Sequence, residues 1–483
     1  MRRRPLSLLA NHTLALALFL VFVFLIGGGS RDDILSLPVL RIGAALFIGY
    51  ALYFLRPAQL TQHRIVVALL GAFSAWLLLQ LVPLPPGIWM NFAGRDLVVR
   101  AGELAGIEQP WRPISVIPWR TVNALLALLI PWAALLLGVQ VSLAGNRGIP
   151  GVIVVIALFS ALLGILQMLG PDGGSLYFYR VTNPESAVGL FSNRNHNAAF
   201  LAASIPLIAY LVATAPKTEP KRRPKRAEPG IGNTTQVAAA DDRPLLFGAL
   251  AVFVLGVGIL ATGSRGGMIA GVVGLTAAIL IVFTDSRRSP VRSGKRLLAY
   301  CAGFAIIGGT LLVLGIISQN EAADRIINLE ETEEVRLQVW GPIAELVPAF
   351  GWTGSGIGTF VEVYESAEAD FTIGDSYLNH AHNDWLETAL TGGWPALGVL
   401  ALSLIAGIFF AARAWLPSSS RVADRPLARA ASASLIIMAL FSLTDYPVRT
   451  PSLAAFFIVM ALGLLQAARS CEQATEELAS ARS

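Results

Sequence analysis

Residues 148–171 read GIPGVIVVIALFSALLGILQMLGP, a run without a single Asp, Glu, Lys or Arg. As a helix rising 1.5 Å per residue, such a run covers roughly 36 Å, enough to cross the ~30 Å hydrocarbon core of a bilayer. Lipid offers backbone groups no hydrogen-bond partner, so a crossing segment satisfies them within itself. The alternation of an outer-membrane barrel strand is not seen, which leaves a helix. Working outward from this run, stretches nearly free of charge recur along the chain. They are 5–30, 34–55 (interrupted by Arg41), 65–94, 121–146, 148–171, 195–216, 245–264, 266–284, 297–320, 388–412, 430–444 and 450–468. The expected fold is therefore an all-α integral membrane protein with about twelve transmembrane helices.

The composition agrees. Of 483 residues 55% are hydrophobic and 14% charged, against about 25% charged in an ordinary soluble domain. Too few charges remain to cover several soluble domains. Cys301 lies in an apolar run and Cys471 in the polar C-terminal tail, so neither a disulfide framework nor a CxxC site is expected. Net charge is +5, without a basic stripe interleaved with aromatics, so nucleic acid is not an expected partner. The start, Met1-Arg-Arg-Arg before an apolar run, resembles a signal peptide but lacks a good small-residue cleavage site; it is read as a retained first span.

With both termini cytoplasmic, 24 of the 36 basic residues fall on the inside, including the cluster Lys221-Arg-Arg-Pro-Lys-Arg226. The positive-inside rule favours this orientation. It divides the chain into N-terminal spans (1–180), further spans carrying outside motifs (181–317), a long, partly helical outside loop (318–387), C-terminal spans (388–468) and a cytoplasmic tail (469–483). The loop from Ser318 to Glu387 holds fourteen acidic residues, no lysine and two arginines, Arg325 and Arg336.

Several outside motifs carry possible chemistry. In Asn379-His-Ala-His-Asn-Asp-Trp-Leu-Glu387, Asp384 and Glu387 resemble a capping box opening the next span. That would put His382 at a helix N-terminus, where the dipole favours a neutral ring able to accept a proton. A purely structural cap, or a metal site built from His380, His382 and Asp375 or Asp384, are the competing readings. Arg265, in Thr262-Gly-Ser-Arg-Gly-Gly267, either snorkels to the surface or grips a phosphate with the help of exposed backbone N–H groups. In Glu333-Glu-Val-Arg336-Leu-Gln-Val-Trp340 the spacing predicts a helix with Val335, Val339 and Ile343 on one face. Arg336, one turn before Trp340, either pairs with Glu333 or binds a second phosphate. Gly354-Ser-Gly-Ile-Gly358 is a tight turn; no lysine follows as in a nucleotide loop. Phe191-Ser-Asn-Arg-Asn-His-Asn197 gathers donors at Arg194, Asn195 and His196, for capping or for sugar and phosphate recognition. In Asp445-Tyr-Pro-Val-Arg449 an internal ion pair and a ligand contact by Arg449 are equally open.

Taken in order, these motifs resemble the O-antigen ligase and polymerase superfamily of bacterial envelope proteins. The carrying residues are Phe191–Asn197, Thr262-Gly-Ser-Arg265-Gly, Arg336 with Trp340, Pro348 with Gly354-Ser-Gly-Ile-Gly-Thr-Phe360, His380–Glu387 and Asp445–Arg449. The resemblance covers residues 190–450. It implies an inner-membrane glycosyltransferase moving a glycan from undecaprenyl diphosphate to an acceptor hydroxyl at the periplasmic face. It further implies that Arg265 and Arg336 hold the diphosphate and that His382 activates the acceptor. Arg194, Asn195, His196, His380, Asn383 and Arg449 are then the substrate-binding candidates. Two arginine forks and a base suit such chemistry without a metal or other cofactor. The acceptor would be lipid A-core, a growing glycan or a protein hydroxyl. After His382 the family pattern expects glycines at a spacing that Gly392-Gly393-Trp394-Pro395 meets only in part, so ligase and polymerase both stand. The rival classes are a transporter or flippase for a lipid-linked sugar and a non-catalytic envelope scaffold.

Overall fold

A computed structural model describes residues 11–171, 173–216, 243–285, 298, 330–368, 377–416 and 422–469, with the side chains of 330–337 excepted. The described residues form helices and no strand. Among the described residues, seven helices are long and apolar enough to cross a membrane. They are α2 (Leu37–Phe54), the pair α7–α8 (Pro118–Ala127 and Leu129–Gly138), α9 (Gly148–Leu169), α10 (Arg194–Ala213), α11 (Arg243–Ala261), α12 (Arg265–Asp285) and α15 (Asp384–Trp415). Three shorter apolar helices, α1 (His12–Ile26), α4 (Arg64–Gln80) and α17 (Pro451–Ala467), match further expected spans. α16 (Arg425–Phe441) stands at the expected 430–444 span. The expected span 297–320 lies outside the described residues. The charge-free run 65–94 overestimated its helix, because Pro83, Pro85 and Pro86 end α4 and open the four-residue α5 (Pro86–Trp89). Arg41, the charge inside α2, donates to the side chain of Asn123 on α7.

α10 is the central helix: 94% of its apolar window is buried. Lipid tails are as apolar as leucine, so helices in a bilayer associate through close packing of small residues. Here Ala198, Ala199, Ala202 and Ala203 present that surface, and Gly267 and Gly274 of α12 approach them so closely that a Cβ would clash. Pro206 removes the N–H that would have bonded to the Ala202 carbonyl. It is against this oxygen that Gly274 packs, at 2.7 Å from its would-be Cβ.

A smaller apolar cluster sits at one end of the bundle. It joins Val339 and Ile343 of α13 (Glu330–Ala349), Phe360, Val363 and Tyr364 of α14 (Phe360–Glu365), Ala381, and Leu390 of α15. Val339 and Ile343 are the inward positions that the spacing predicted. Part of the 318–387 loop is thus a packed layer over the helix ends.

α15 is not one continuous span. Gly393, at φ 62° and ψ −164°, breaks it, and Pro395 cannot donate an N–H back across the break. The carbonyls released there find other donors: Ser355 N–H to Leu390 O, Gly356 N–H to Thr391 O, and the Trp76 indole to Gly392 O. The Gly354–Gly358 turn is glycine-rich for this reason. A Cβ on Gly354 would lie 2.6 Å from the Thr391 carbonyl oxygen. Residues 384–392 are therefore a separate short helix ahead of the membrane-length piece that begins at Trp394. Trp394 and Trp352, exposed beside the break, have the character of interfacial anchors.

Candidate functional site

Four chain segments meet at this end of the bundle. The first is the N-terminus of α10. Asn193 caps it, its side-chain oxygen accepting from Asn195 N–H at 2.8 Å. The preceding turn is fixed by α9, where Gln167 exchanges two hydrogen bonds with Gly189, and Ser160 donates to Asn197 while accepting from Leu190 N–H. The second is the segment 379–383 leading into α15. Asn383 is the cap there, accepting from Leu386 N–H at 3.0 Å. The Asp384–Glu387 capping box expected from sequence does not form. Glu387 instead folds back, accepting Ala381 N–H at 2.9 Å and lying 3.1 Å from His380 Nδ1.

The third segment, the 442–450 turn between α16 and α17, supplies the groups that organise the site. Asp445, 1% exposed, lies with Oδ1 3.3 Å from His382 Nδ1. Its Oδ2 accepts from the Asn195 amide at 2.7 Å, and Oδ1 also accepts Tyr446 N–H at 3.0 Å. His196 Nε2 is 3.8 Å from Oδ1, beyond hydrogen-bond length, and its Nδ1 is 2.8 Å from Thr450 Oγ1. Burial works to raise the Asp445 carboxyl. The facing histidines His196 and His382 outweigh it and hold the group well below the usual carboxylate range. Asp445 is thus an anion over the whole physiological range, turned toward a histidine.

Around it, the Tyr446 ring is touched by His380, His382 and His196, with centroids 4.2, 4.9 and 5.0 Å away. Arg449 reaches the other carboxylates, Nε to Asp384 Oδ1 and Nη1 to Glu387 Oε1, each at 2.9 Å. Burial opposes the Arg449 charge, and these two carboxylates overcome it and raise the group above its ordinary value. His382 has φ 49°, the sole positive value at a non-glycine among the described residues. A left-handed backbone costs an ordinary residue ~1–2 kcal/mol, so the surrounding contacts hold His382 there. With Nδ1 turned to Asp445, Nε2 is the nitrogen directed away from the carboxylate.

The fourth segment is the Thr262–Gly267 turn. Gly263, at φ +63°, lies beside Arg194, whose Nη1 is 3.6 Å from the would-be Cβ of that glycine. Thr262 and Ser264 are buried and bonded within the turn, while Arg265 opens α12 with an exposed side chain. From the loop layer, the Trp340 indole donates to the Ala381 carbonyl at 3.0 Å, which ties α13 to the residue before His382. Arg336 stands one turn earlier on the same helix; its side chain lies outside the described ones, as do Glu333's and Asp375.

The arrangement joins a carboxylate-oriented histidine to two arginines at helix starts. Such a set can withdraw a proton from a hydroxyl while stabilising an anionic leaving group. Residues 250–401, just under a third of the chain, match the family model described as O-antigen ligase. Over those residues the chain is similar to O-antigen ligases. No curated protein matches the chain.

The O-antigen ligase match includes Arg265, Arg336, His380 and His382, while Arg194, Asn195, His196, Asp445 and Arg449 lie outside it and reach the same site through the fold. Several of the candidate side chains have partners within the protein. Asn383 gives its oxygen to the helix cap. Asn195 donates to Asp445, and the fully buried His196 meets Thr450 through Nδ1. Arg449 pairs with Asp384 and Glu387 and not with Asp445, which was one of the two readings open for this turn. His380 and His382 turn to different carboxylates, Glu387 and Asp445. Among the described residues no group of three His, Cys, Asp or Glu side chains converges as a metal-ligand set.

Two features escaped the sequence reading. Asp445 stands in the sequence only as a possible partner of Arg449, because the partners it has lie 63 and 250 positions away. A cleft of about 130 Å³ beside His380 is lined by Arg31, Asp32, Arg120, Tyr377 and Asn379. Arg120 bridges Asp32 and Glu362 across it, and no local pattern links those three residues.

Proposed function

We propose that this protein transfers a glycan from undecaprenyl diphosphate to an acceptor hydroxyl at the periplasmic face of the bacterial inner membrane, without a metal. The observation that carries the reading is the contact between His382 and the buried, ionised Asp445, formed within the same cluster of segments as Arg194 and Arg265. In this scheme the donor enters from the bilayer and its diphosphate meets Arg265 and Arg336, with Arg194 as a third ligand. His382 Nε2 takes the proton of the acceptor hydroxyl as its oxygen attacks the anomeric carbon. The bond from that carbon to the phosphate oxygen breaks, and undecaprenyl diphosphate leaves with its charge held by the arginines. Direct displacement of this kind inverts the anomeric centre. Asp445 keeps the imidazole oriented and becomes the counter-ion of the imidazolium formed.

Ligase, polymerase and protein glycosylating activities share this donor chemistry and differ in acceptor. Purified protein in detergent would be given an undecaprenyl-diphosphate-linked glycan, with lipid A-core in one reaction and no further acceptor in another. A shifted lipid A-core band supports the ligase reading, and a ladder on the carrier supports the polymerase. No turnover in either, with protein acceptors also unmodified, refutes glycan transfer and returns weight to transport or scaffolding.

A further inference from the structure

The far end of the bundle carries a second constellation that this chemistry does not use. α4 begins at Arg64, α15 ends two residues after Arg413, and Arg469 follows the end of α17. From the break at Gly393 to Arg413, α15 runs for roughly 30 Å. The two ends are thus one hydrocarbon thickness apart, and Arg413 lies at the headgroup depth of the opposite leaflet. There Arg64, Arg413 and Arg469 line a groove of about 300 Å³ together with Phe409, Phe410 and Leu465.

Three guanidinium groups share this groove, and among the described residues no carboxylate lines it. Asp424 is brought to the end of α17 by its N–H to the Ala467 carbonyl, but its side chain accepts from Gly145 and Leu427 N–H groups. Arg469 also donates to the Gln62 carbonyl, so it is held against the start of α4 before any ligand arrives. Guanidinium forks match phosphate oxygens, and the apolar wall, with Phe409 57% exposed, continues toward the lipid-facing side of α15.

We propose that this groove binds the phosphate of an anionic glycerophospholipid in the leaflet opposite the histidine site. The charge calls for an anion, and the phenylalanine wall calls for one that brings an acyl chain. The inference does not depend on the reaction proposed above.

Native mass spectrometry of the full chain in neutral detergent tests it, with phosphatidylglycerol, phosphatidylcholine and inorganic phosphate titrated separately. Phosphatidylglycerol should bind in preference to phosphatidylcholine. At about 1 kcal/mol for each basic residue near the headgroups, Arg64→Gln and Arg413→Gln should each weaken that binding roughly fivefold. Equal retention of the two lipids, or a double variant that binds like the parent, overturns the proposal. Inorganic phosphate competing as well as the lipid overturns the lipid assignment and leaves a simple anion site. If the double variant does not fold, the parent protein decides: its lipid preference should fall as salt rises, and a salt-independent preference refutes the role of the arginines.

Discussion

Asp445→Asn isolates the group that the proposed mechanism leans on most. The substitution keeps the shape of the side chain and removes its charge. Asp445 Oδ1 lies 3.3 Å from His382 Nδ1, and the carboxylate is 1% exposed. At an effective dielectric of 20, opposite charges at that separation attract by about 5 kcal/mol. The attraction develops as the ring gains the substrate proton, so it counts toward the barrier rather than toward binding. Halving it for the part of His382 that water can screen leaves ~2.5 kcal/mol, so the rate should fall roughly 10²-fold. The assay is initial rate of transfer by detergent-purified protein, with donor affinity measured in parallel and with melting temperature and gel-filtration profile as checks on folding. Turnover should drop while donor binding holds, because the arginines are untouched. A folded Asn variant turning over at the parent rate would refute the orienting role of Asp445. A variant losing donor affinity and turnover equally would assign Asp445 to the architecture of the site instead.

Other perturbations read different parts of the same argument. His382→Asn suits the left-handed backbone, since asparagine tolerates positive φ; the protein should accumulate normally and transfer nothing, and retained product in a complementation assay would remove the general base. Arg265→Lys keeps the charge and loses the fork, so transfer should fall roughly tenfold or more while abundance stays unchanged; parent-level rates would argue against a bidentate phosphate contact. Gly393→Ala introduces a Cβ 2.2 Å from the Trp352 carbonyl oxygen at φ 62°, so folded yield in a detergent melting series should collapse; an unaffected melt would show the break to be pliable. Asp445 also predicts an acid dependence of stability. Its folded carboxyl lies below the ordinary value, so its contribution is complete above about pH 4 and is lost as pH falls through the depressed folded value; the melting temperature of Asp445→Asn should lack that component.

Much of the architecture is written locally and was legible for that reason. A run of charge-free residues declares a membrane helix by itself, and the spacing of Val339 and Ile343 declares one face of α13. The positions of Arg265 and His382 at helix starts follow from their neighbours in sequence. What was hidden depends on long-range pairing. Asp384 and Glu387 look like a capping box because three residues separate them, but the orphan N–H groups were available to Asn383, and Arg449 offered both carboxylates a stronger partner. The break at Gly393 was hidden because its apolar residues continue the hydropathy of the span. Only the released carbonyls, taken by Ser355, Gly356 and Trp76, show that the helix stops and restarts.

The break also bears on how the chain places this polar candidate site at a helix start. The helix axis carries partial positive charge at its N-terminus, and α10, α12, α15 and α17 all begin at this end of the bundle. Each opens next to a functional group: Arg194 on α10, Arg265 on α12, Asp384 on α15, and Thr450, the partner of His196, before α17. Four positive helix ends, with the exposed Arg265 and the half-buried Arg194, favour an anionic ligand. They also help to keep Asp445 and Glu387 ionised in a buried setting. Had α15 continued unbroken, its first turn would be rigidly coupled to a 32-residue rod, and Asn383 and Glu387 would move with any tilt of that rod. Separating residues 384–392 from the membrane-length piece lets the loop layer, through Trp340 and Leu390, set the position of His382 against Asp445. Substitutions that loosen that layer, such as Trp340→Phe, should therefore slow transfer without touching the membrane helices. The loss would appear in turnover rather than in thermal stability, and a lower melting temperature with normal turnover per folded molecule would show that the layer serves only to hold the protein together.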